Sequence, residues 1–183
     1  MSAPTHVVLI RGINVGGKNP VPMARLRDAL SARGYGGVST YIQSGNVVLA
    51  APGEDESRVS RAVEGVLADE YGVNTVVLTL SSETLRAAVS DAPEGFGAQP
   101  DAYHYDVAFL MPGLTGEQAL PEFGIREGVD TAWAGTNVVY FRRLSAERTK
   151  SKLSRVMSSP LYKGMTIRNW RTCTTLVGML VEP

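Results

Sequence analysis

Arg11-Gly12-Ile13-Asn14-Val15-Gly16-Gly17-Lys18 places three glycines between two cations, directly after the apolar run HVVLI. Glycines let a backbone approach a ligand closely and turn its N–H groups toward an anion. Gly12 to Lys18 also fits G-x-x-x-x-G-K, most of a phosphate-loop signature. The next residue is Asn19, where that chemistry needs a hydroxyl on Mg²⁺, and Pro20 and Pro22 delay the helix that should follow at once. Pro20 also has no N–H to donate. The nucleoside-triphosphatase reading is therefore rejected, and the more general one is kept: an anion-receiving loop bracketed by Arg11 and Lys18.

A second group of polar residues sits in TYIQSGNVV, where Gln43, Ser44 and Asn46 surround a compact turn. A third is TIRNWRTCTTL, where Trp170 stands beside Arg168 and Arg171 and can stack a base or a sugar. The residues expected to hold a ligand are Arg11, Asn14, Gly16, Gly17, Lys18, Ser44, Asn46, Arg168, Asn169 and Trp170. The expected ligand is small and phosphorylated or otherwise anionic, of the nucleotide kind. Two rival readings accompany it. One is a nucleic-acid backbone binder using Arg142, Arg143, Lys150, Lys152 and Arg155; the other is an interaction module whose polar residues only hold the loop.

Other chemistry is poorly supplied. His6 and His104 have no Cys or Asp partners at metal spacing, so no metal site is read. Ser44-Gly45 lacks the G-x-S-x-G context of a nucleophile elbow. Cys173 falls on one helical face with Leu176, Val177 and Leu180, which reads as a core thiol. Asp28 is the sole acid among the first fifty residues. No catalytic residue is named and no cofactor is read. RNA recognition through a sheet needs aromatic rings on the third strand, and GNVVLA has none.

The 183 residues carry equal numbers of acids and bases, but unevenly. Residues 1–50 hold five bases and one acid (+4), residues 51–130 four and fifteen (−11), and residues 131–183 nine and two (+7). Basic ends around an acidic middle suit an anionic partner, or pair with that middle. One cysteine excludes an internal disulfide. No secretory leader is read at the start and the longest uncharged run alternates like strands, so a cytoplasmic location away from membranes is expected.

The elements that must position these groups repeat. Thr5 to Arg11 is predicted as a strand, Pro22 to Arg33 as a helix with Met23, Leu26 and Leu30 inward, and Val38 to Ile42 and Asn46 to Ala50 as a hairpin around Ser44-Gly45. A helix from Glu54 to Tyr71, closed by Gly72, and a strand from Asn74 to Leu80 complete β-α-β-β-α-β, the ferredoxin-like order. A helix from Ser81 to Ala92, capped by Ser82, leads to a Gly/Pro-rich stretch, Pro93 to Tyr103, the expected boundary between residues 1–92 and 93–183. The pattern then restarts: a strand at Tyr105 to Met111, a short helix at Leu114 to Phe123, a hairpin at Asp130 to Trp133 and Asn137 to Arg142, and a helix at Ala146 to Ser158. No last strand is evident; Arg168 to Leu180 reads as helix. The expectation is α+β with two ferredoxin-like halves, the second incomplete, and a C-terminal helix. VVLIRG matches VAFLMPG and GNVVLA matches TNVVYF, which supports duplication. Against that alignment the first half carries about ten extra residues, the length of the loop itself.

VLIRGINVGGKNPVPMARLRDAL, TYIQSGNVV and TIRNWRTCTTL together closely resemble a bacterial family of uncharacterised proteins, domain of unknown function 1697. The resemblance spans nearly the whole chain. It implies two ferredoxin-like halves and no established activity.

Overall fold

The computed structural model describes residues 3–180. They divide into two compact units, residues 3–86 with 175–180, and residues 87–174. Each unit holds one four-stranded antiparallel sheet.

In the first unit, β1 (His6–Ile10) is the most apolar strand, and every residue of it is buried. It takes a central place between β3 (Asn46–Ala50) and β4 (Val77–Ser81), with β2 (Gly36–Tyr41) beyond β3, in the order β2-β3-β1-β4. Val8 lies opposite Val47 on one side and Thr79 on the other. Helix α1 (Met23–Ala32) presents Met23, Leu26 and Leu30 at helical spacing, and all three are buried. Helix α2 (Glu56–Tyr71) buries Val59, Val63, Val66 and Leu67. Its start is capped by the Asp55 carboxylate, which accepts the Arg58 N–H at 2.8 Å, and its end by left-handed Gly72. These side chains and the inward face of β1 and β3 form the first core.

The second unit opens with the last four residues of α3 (Ser82–Ser90). The hydroxyl that accepts the first free N–H, that of Thr84, belongs to Ser81 rather than to the expected Ser82. The second sheet follows the same order as the first, β6-β7-β5-β8, built from β5 (Tyr103–Leu110), β6 (Asp130–Ala134), β7 (Val138–Leu144) and β8 (Met165–Asn169). Between β5 and β6, the helix α4 (Gly116–Ala119) is a single turn with a Thr115–Gln118 capping box, continued as a 3₁₀ turn over Leu120–Glu122.

Two expectations for this unit are corrected. A fourth strand is present: β8 pairs with β5 from Leu110 opposite Met165 to Asp106 opposite Asn169. It runs into α5 (Trp170–Met179) with no breaker between them, so the apolar period of the helix masks it in the sequence. Asn169 sits at the junction and its side chain accepts the Arg171 N–H as a helix cap. The helix predicted at Ala146 to Ser158 is instead a set of 3₁₀ turns, Ser145–Lys150, Leu153–Ser158 and Pro160–Gly164. Other acceptors take the N–H groups a helix would use: Ser151 Oγ from Leu153 and Ser159 Oγ from Leu161 locally, and the distant Asp130 carboxylate from Lys152. Pro160 blocks continuation. Leu153 and Val156 still point into the core with Ala108, Val139 and Phe141, as their spacing predicts.

Cys173 is buried, and burial pushes its thiol up to about 12, with Arg168 opposing the shift. A thiol-specific disulfide reagent at pH 8 is expected to leave the native chain unlabelled and to titrate one thiol in denaturant; rapid native labelling would overturn the assignment as a core thiol.

Asp106 supplies a pH prediction. Burial pushes its carboxyl above the ordinary range, and Arg143 at 3.8 Å and His104 oppose this only in part. The folded chain then holds this proton more tightly than the unfolded chain does. Its contribution to stability is complete below the unfolded value and is lost as pH rises through the folded value. Above about pH 4 the urea midpoint of Asp106→Asn should fall less with rising pH than that of the wild type. Parallel curves would show that Asp106 is not the group responsible.

Candidate functional site

β1 runs out at Ile10 while β3 starts at Asn46, so the loop after β1 and the turn between β2 and β3 share one end of the first sheet. The structure joins them by hydrogen bonds. Ile10 N donates to Gly45 O at 2.8 Å, and the Asn14 side chain donates to Gln43 O at 2.8 Å and to Val21 O at 2.9 Å. Asn14 Oδ1 also accepts the Val21 N–H at 2.8 Å. One asparagine therefore ties the loop's start to its end and to the neighbouring turn.

The loop itself is a small hairpin. Asn14 N donates to Asn19 O, Lys18 N donates to Val15 O, and Asn19 Nδ2 closes the base on Gly12 O. At its tip Gly16 (φ 56°) and Gly17 (φ 75°) both adopt left-handed backbone, which a two-residue I′ turn demands. The Gly16 and Gly17 N–H groups take no acceptor among the described residues, and both glycines are exposed beside Lys18.

The sequence-predicted residues thus divide by role. Asn14 turns inward as a clamp. Asn46 is fully buried and donates to Tyr41 O at 3.1 Å and to Ser44 Oγ at 3.0 Å, so this pair shapes the turn. Arg11 is half-buried; its N–H donates to Val76 O and its carbonyl accepts the Thr75 hydroxyl. Gly16, Gly17 and Lys18 remain outward.

Three exposed apolar side chains flank this tip, and the sequence carries no signal for any of them as part of a site. Val15 is 62% exposed and Ile42 51%, while Val76, bonded through its carbonyl to Arg11, is 40% exposed. Ile42 also has φ 48°. A β-branched residue in left-handed backbone is an outlier that costs about 1–3 kcal/mol, and exposure returns none of that through burial.

Arg168, Asn169 and Trp170 belong to the second unit. Arg168 is 8% exposed, its Nη1 donates to Ile167 O, and burial lowers its guanidinium to about 10. The Asn169 side chain caps α5 and also donates to Tyr105 O. Trp170 lies against Phe96, with ring centroids 5.0 Å apart. The residues of the backbone-binding alternative do not form one solvated stripe. The Arg142 guanidinium stacks 4.4 Å from the Tyr103 ring, Arg143 reaches Asp106, and Lys150 pairs with Glu147; Lys152 and Arg155 are exposed.

An open cavity of about 570 Å³ occupies the opposite end of the first sheet, lined by residues that include Arg33, Tyr35, Ala51, Glu54 and Arg58. Its cations already have partners, Arg33 near Asp69 and Glu70 and Arg58 at 3.5 Å from Glu54. None of the sequence-predicted residues lines it. Among the described residues no three His, Cys, Asp or Glu side chains gather as metal ligands, and no helix is long and apolar enough to cross a membrane.

The sequence profile of a family described as "protein of unknown function (DUF1697)" matches residues 3–141. A conserved bacterial protein of Streptococcus pneumoniae, SP0830, has a similar solved structure, with a TM-score of 0.79 and 25% identity. The likeness covers 98% of this chain and 100% of that one. No functionally curated protein matches.

Proposed function

The chain belongs to the DUF1697 family of proteins of unknown function, and we propose that it binds an anionic ligand at the end of its first sheet. The Gly16 and Gly17 N–H groups and the Lys18 ammonium receive the charge. Val15, Ile42 and Val76 cover an apolar part of the same ligand.

The observation that carries this reading is the construction of the tip. Asn14 and Asn19 hold it from inside, and two adjacent N–H donors are left unbonded on exposed glycines beside a lysine. Donors held in place before binding lose little freedom when they meet an anion. Ile42 adds to it, since a strained apolar residue kept in solvent has its return only in a contact with something else. The tip is exposed, so the ligand is received at a surface, with phosphate or carboxylate as its charged group.

A thermal-shift series with inorganic phosphate, mononucleotides, sugar phosphates and a glutamate-rich peptide tests this on wild type, Lys18→Ala and Lys18→Arg. A ligand at 100 times its Kd adds about 2.7 kcal/mol, a rise of several degrees. One ligand class should produce that rise in the wild type and in Lys18→Arg, and lose it in Lys18→Ala. No rise with any of them, or a rise indifferent to Lys18, overturns the reading.

Ile42→Asn provides a separate check. Asparagine tolerates left-handed backbone, so the variant is expected to melt about 2–4 °C higher, from roughly 1 kcal/mol of relieved strain, while binding the same ligand more weakly. A variant that melts lower would show that Ile42 serves the fold.

A further inference from the structure

We infer that the face of the second sheet bearing Tyr105 and Arg142 is a binding site for a nucleobase, carried by a free nucleotide or by a single strand. This is independent of the tip of the first sheet and rests on other residues.

The order β6-β7-β5-β8 places the first and third strands of this half, β5 and β7, at the centre of the sheet. Tyr105 lies directly opposite Arg142, and Tyr140 directly opposite Val107 on one side and Trp133 on the other. Residues two apart on a strand share a face, so both rows project the same way. Ala108, Leu110, Val139 and Phe141 point the other way, into the core. Sheets of this order that bind single strands carry their stacking rings on these two central strands. The third strand of the first half, GNVVLA, carries no ring, whereas the second half carries them at YHYD and VVYFRR.

Three buried polar atoms on this face, Thr166 Oγ1 among them, take no hydrogen bond. The Tyr105 hydroxyl and Arg142 Nε are both buried and unbonded, and they belong to directly paired residues. Tyr105 is only 4% exposed. Leaving buried donors unmet is destabilising, and such groups are rare in folded chains. Here they lie among rings: the Arg142 guanidinium stands 4.4 Å from the Tyr103 centroid and 5.4 Å from that of Trp133. Flat rings beside a hydroxyl and an N–H donor match a planar heterocycle with acceptors on its edge.

A phenyl ring now fills that place. Phe96 stands 4.9 Å from Tyr105, 5.5 Å from Tyr140, 5.9 Å from Trp133 and 5.0 Å from Trp170, close to perpendicular to each. It offers ring contacts but meets neither the Tyr105 hydroxyl nor Arg142 Nε. Phe96 lies between Gly95 (φ 72°) and Gly97 (φ 84°), in a segment whose turns close on themselves, Phe96 N on Pro93 O and Ala98 N on Gly95 O. In this reading Phe96 is an internal stand-in, and a base displaces it to satisfy Tyr105 and Arg142 as well as the rings.

The chain has two tryptophans, and both touch Phe96, so intrinsic fluorescence reports on the site directly. The test titrates the full chain with AMP, UMP and an eight-nucleotide uridine strand, with inorganic phosphate as control. Saturable quenching by the nucleotides or the strand, and none by phosphate, is expected. Arg142→Gln should weaken it at least tenfold. Phe96→Leu, which keeps apolar volume but removes the competing ring, should tighten it by a similar factor because the open form no longer has to be won from Phe96. A strand that binds far more tightly than UMP, with steep salt dependence, identifies single-stranded nucleic acid as the source; equal affinities identify the free nucleotide. Quenching absent from both wild type and Phe96→Leu, or unchanged by Arg142→Gln, overturns the inference. Should Phe96→Leu fail to fold, the wild-type and Arg142→Gln titrations decide alone.

Discussion

Gly45→Ala is expected to cost about 3 kcal/mol of stability, from roughly 1–2 kcal/mol of left-handed backbone strain and 1–3 kcal/mol of overpacking. Gly45 has φ 83°, and an added Cβ would lie 2.9 Å from Ile10 Cβ, 3.0 Å from Ile10 O and 3.0 Å from Ile13 Cδ1. Ile10 and Ile13 are core residues on the central strand and at the loop's root, so neither can move away freely. The turn would instead lift, lengthening the bond from Ile10 N to Gly45 O and loosening the grip of Asn14 on Gln43.

Gly12→Ala separates the two contributions. Gly12 has φ 66° but open space around its added Cβ, so it carries the backbone cost alone, about 1 kcal/mol. Urea midpoints of both variants give the difference. A Gly45→Ala cost no larger than that of Gly12→Ala would mean that the turn is not clamped against the loop, and the rigid tip would lose its foundation. The same pair bears on binding: if preorganisation of the tip matters, Gly45→Ala weakens the anion even at temperatures where the chain is fully folded.

Much of the frame was legible because it rests on local rules. The stripe Val59, Val63, Val66 and Leu67 with Gly72 behind it defines α2 by periodicity and stop signal, and the structure buries all four. Ser44-Gly45 marks a turn between two apolar runs, and the hairpin is there. What escaped depends on contacts remote in sequence. Strand β8 is recognisable only once β5 is present to pair with it, because its own residues merge with the period of α5. The 3₁₀ turns after β7 depend on Asp130, twenty-two residues earlier, accepting the Lys152 N–H.

The same distinction holds for the candidate sites. Glycine and lysine at the loop are visible as a composition, whereas the inward role of Asn14 and Asn46 is not, since an asparagine reads alike as clamp or ligand contact. The left-handed backbone of Ile42 contradicts its residue type and has no sequence signal at all. Nor does the unmet pair of Tyr105 and Arg142, which exists only through the register of β5 against β7.

Gly97→Ala is expected to cost the second unit about 4 kcal/mol, with strain and overpacking both near the top of their ranges. Gly97 has φ 84°, and its added Cβ would fall 2.1 Å from Trp170 Nε1 and 2.5 Å from Cδ1. Phe96 stands against the indole at 5.0 Å, which hinders it from swinging aside. Either the indole leaves its place or the 93–102 segment lifts and takes Phe96 with it. The second outcome is the cheaper where the segment's bonds are mainly its own turns, Phe96 N to Pro93 O and Ala98 N to Gly95 O. Tryptophan emission should then shift to the red at temperatures where the far-ultraviolet spectrum is still native. If the face beneath is built for a base, this variant binds nucleotides more tightly than the wild type although it is less stable. A loss of stability with unchanged emission and no gain in binding would show Phe96 to be an ordinary core residue and Gly97 a packing glycine.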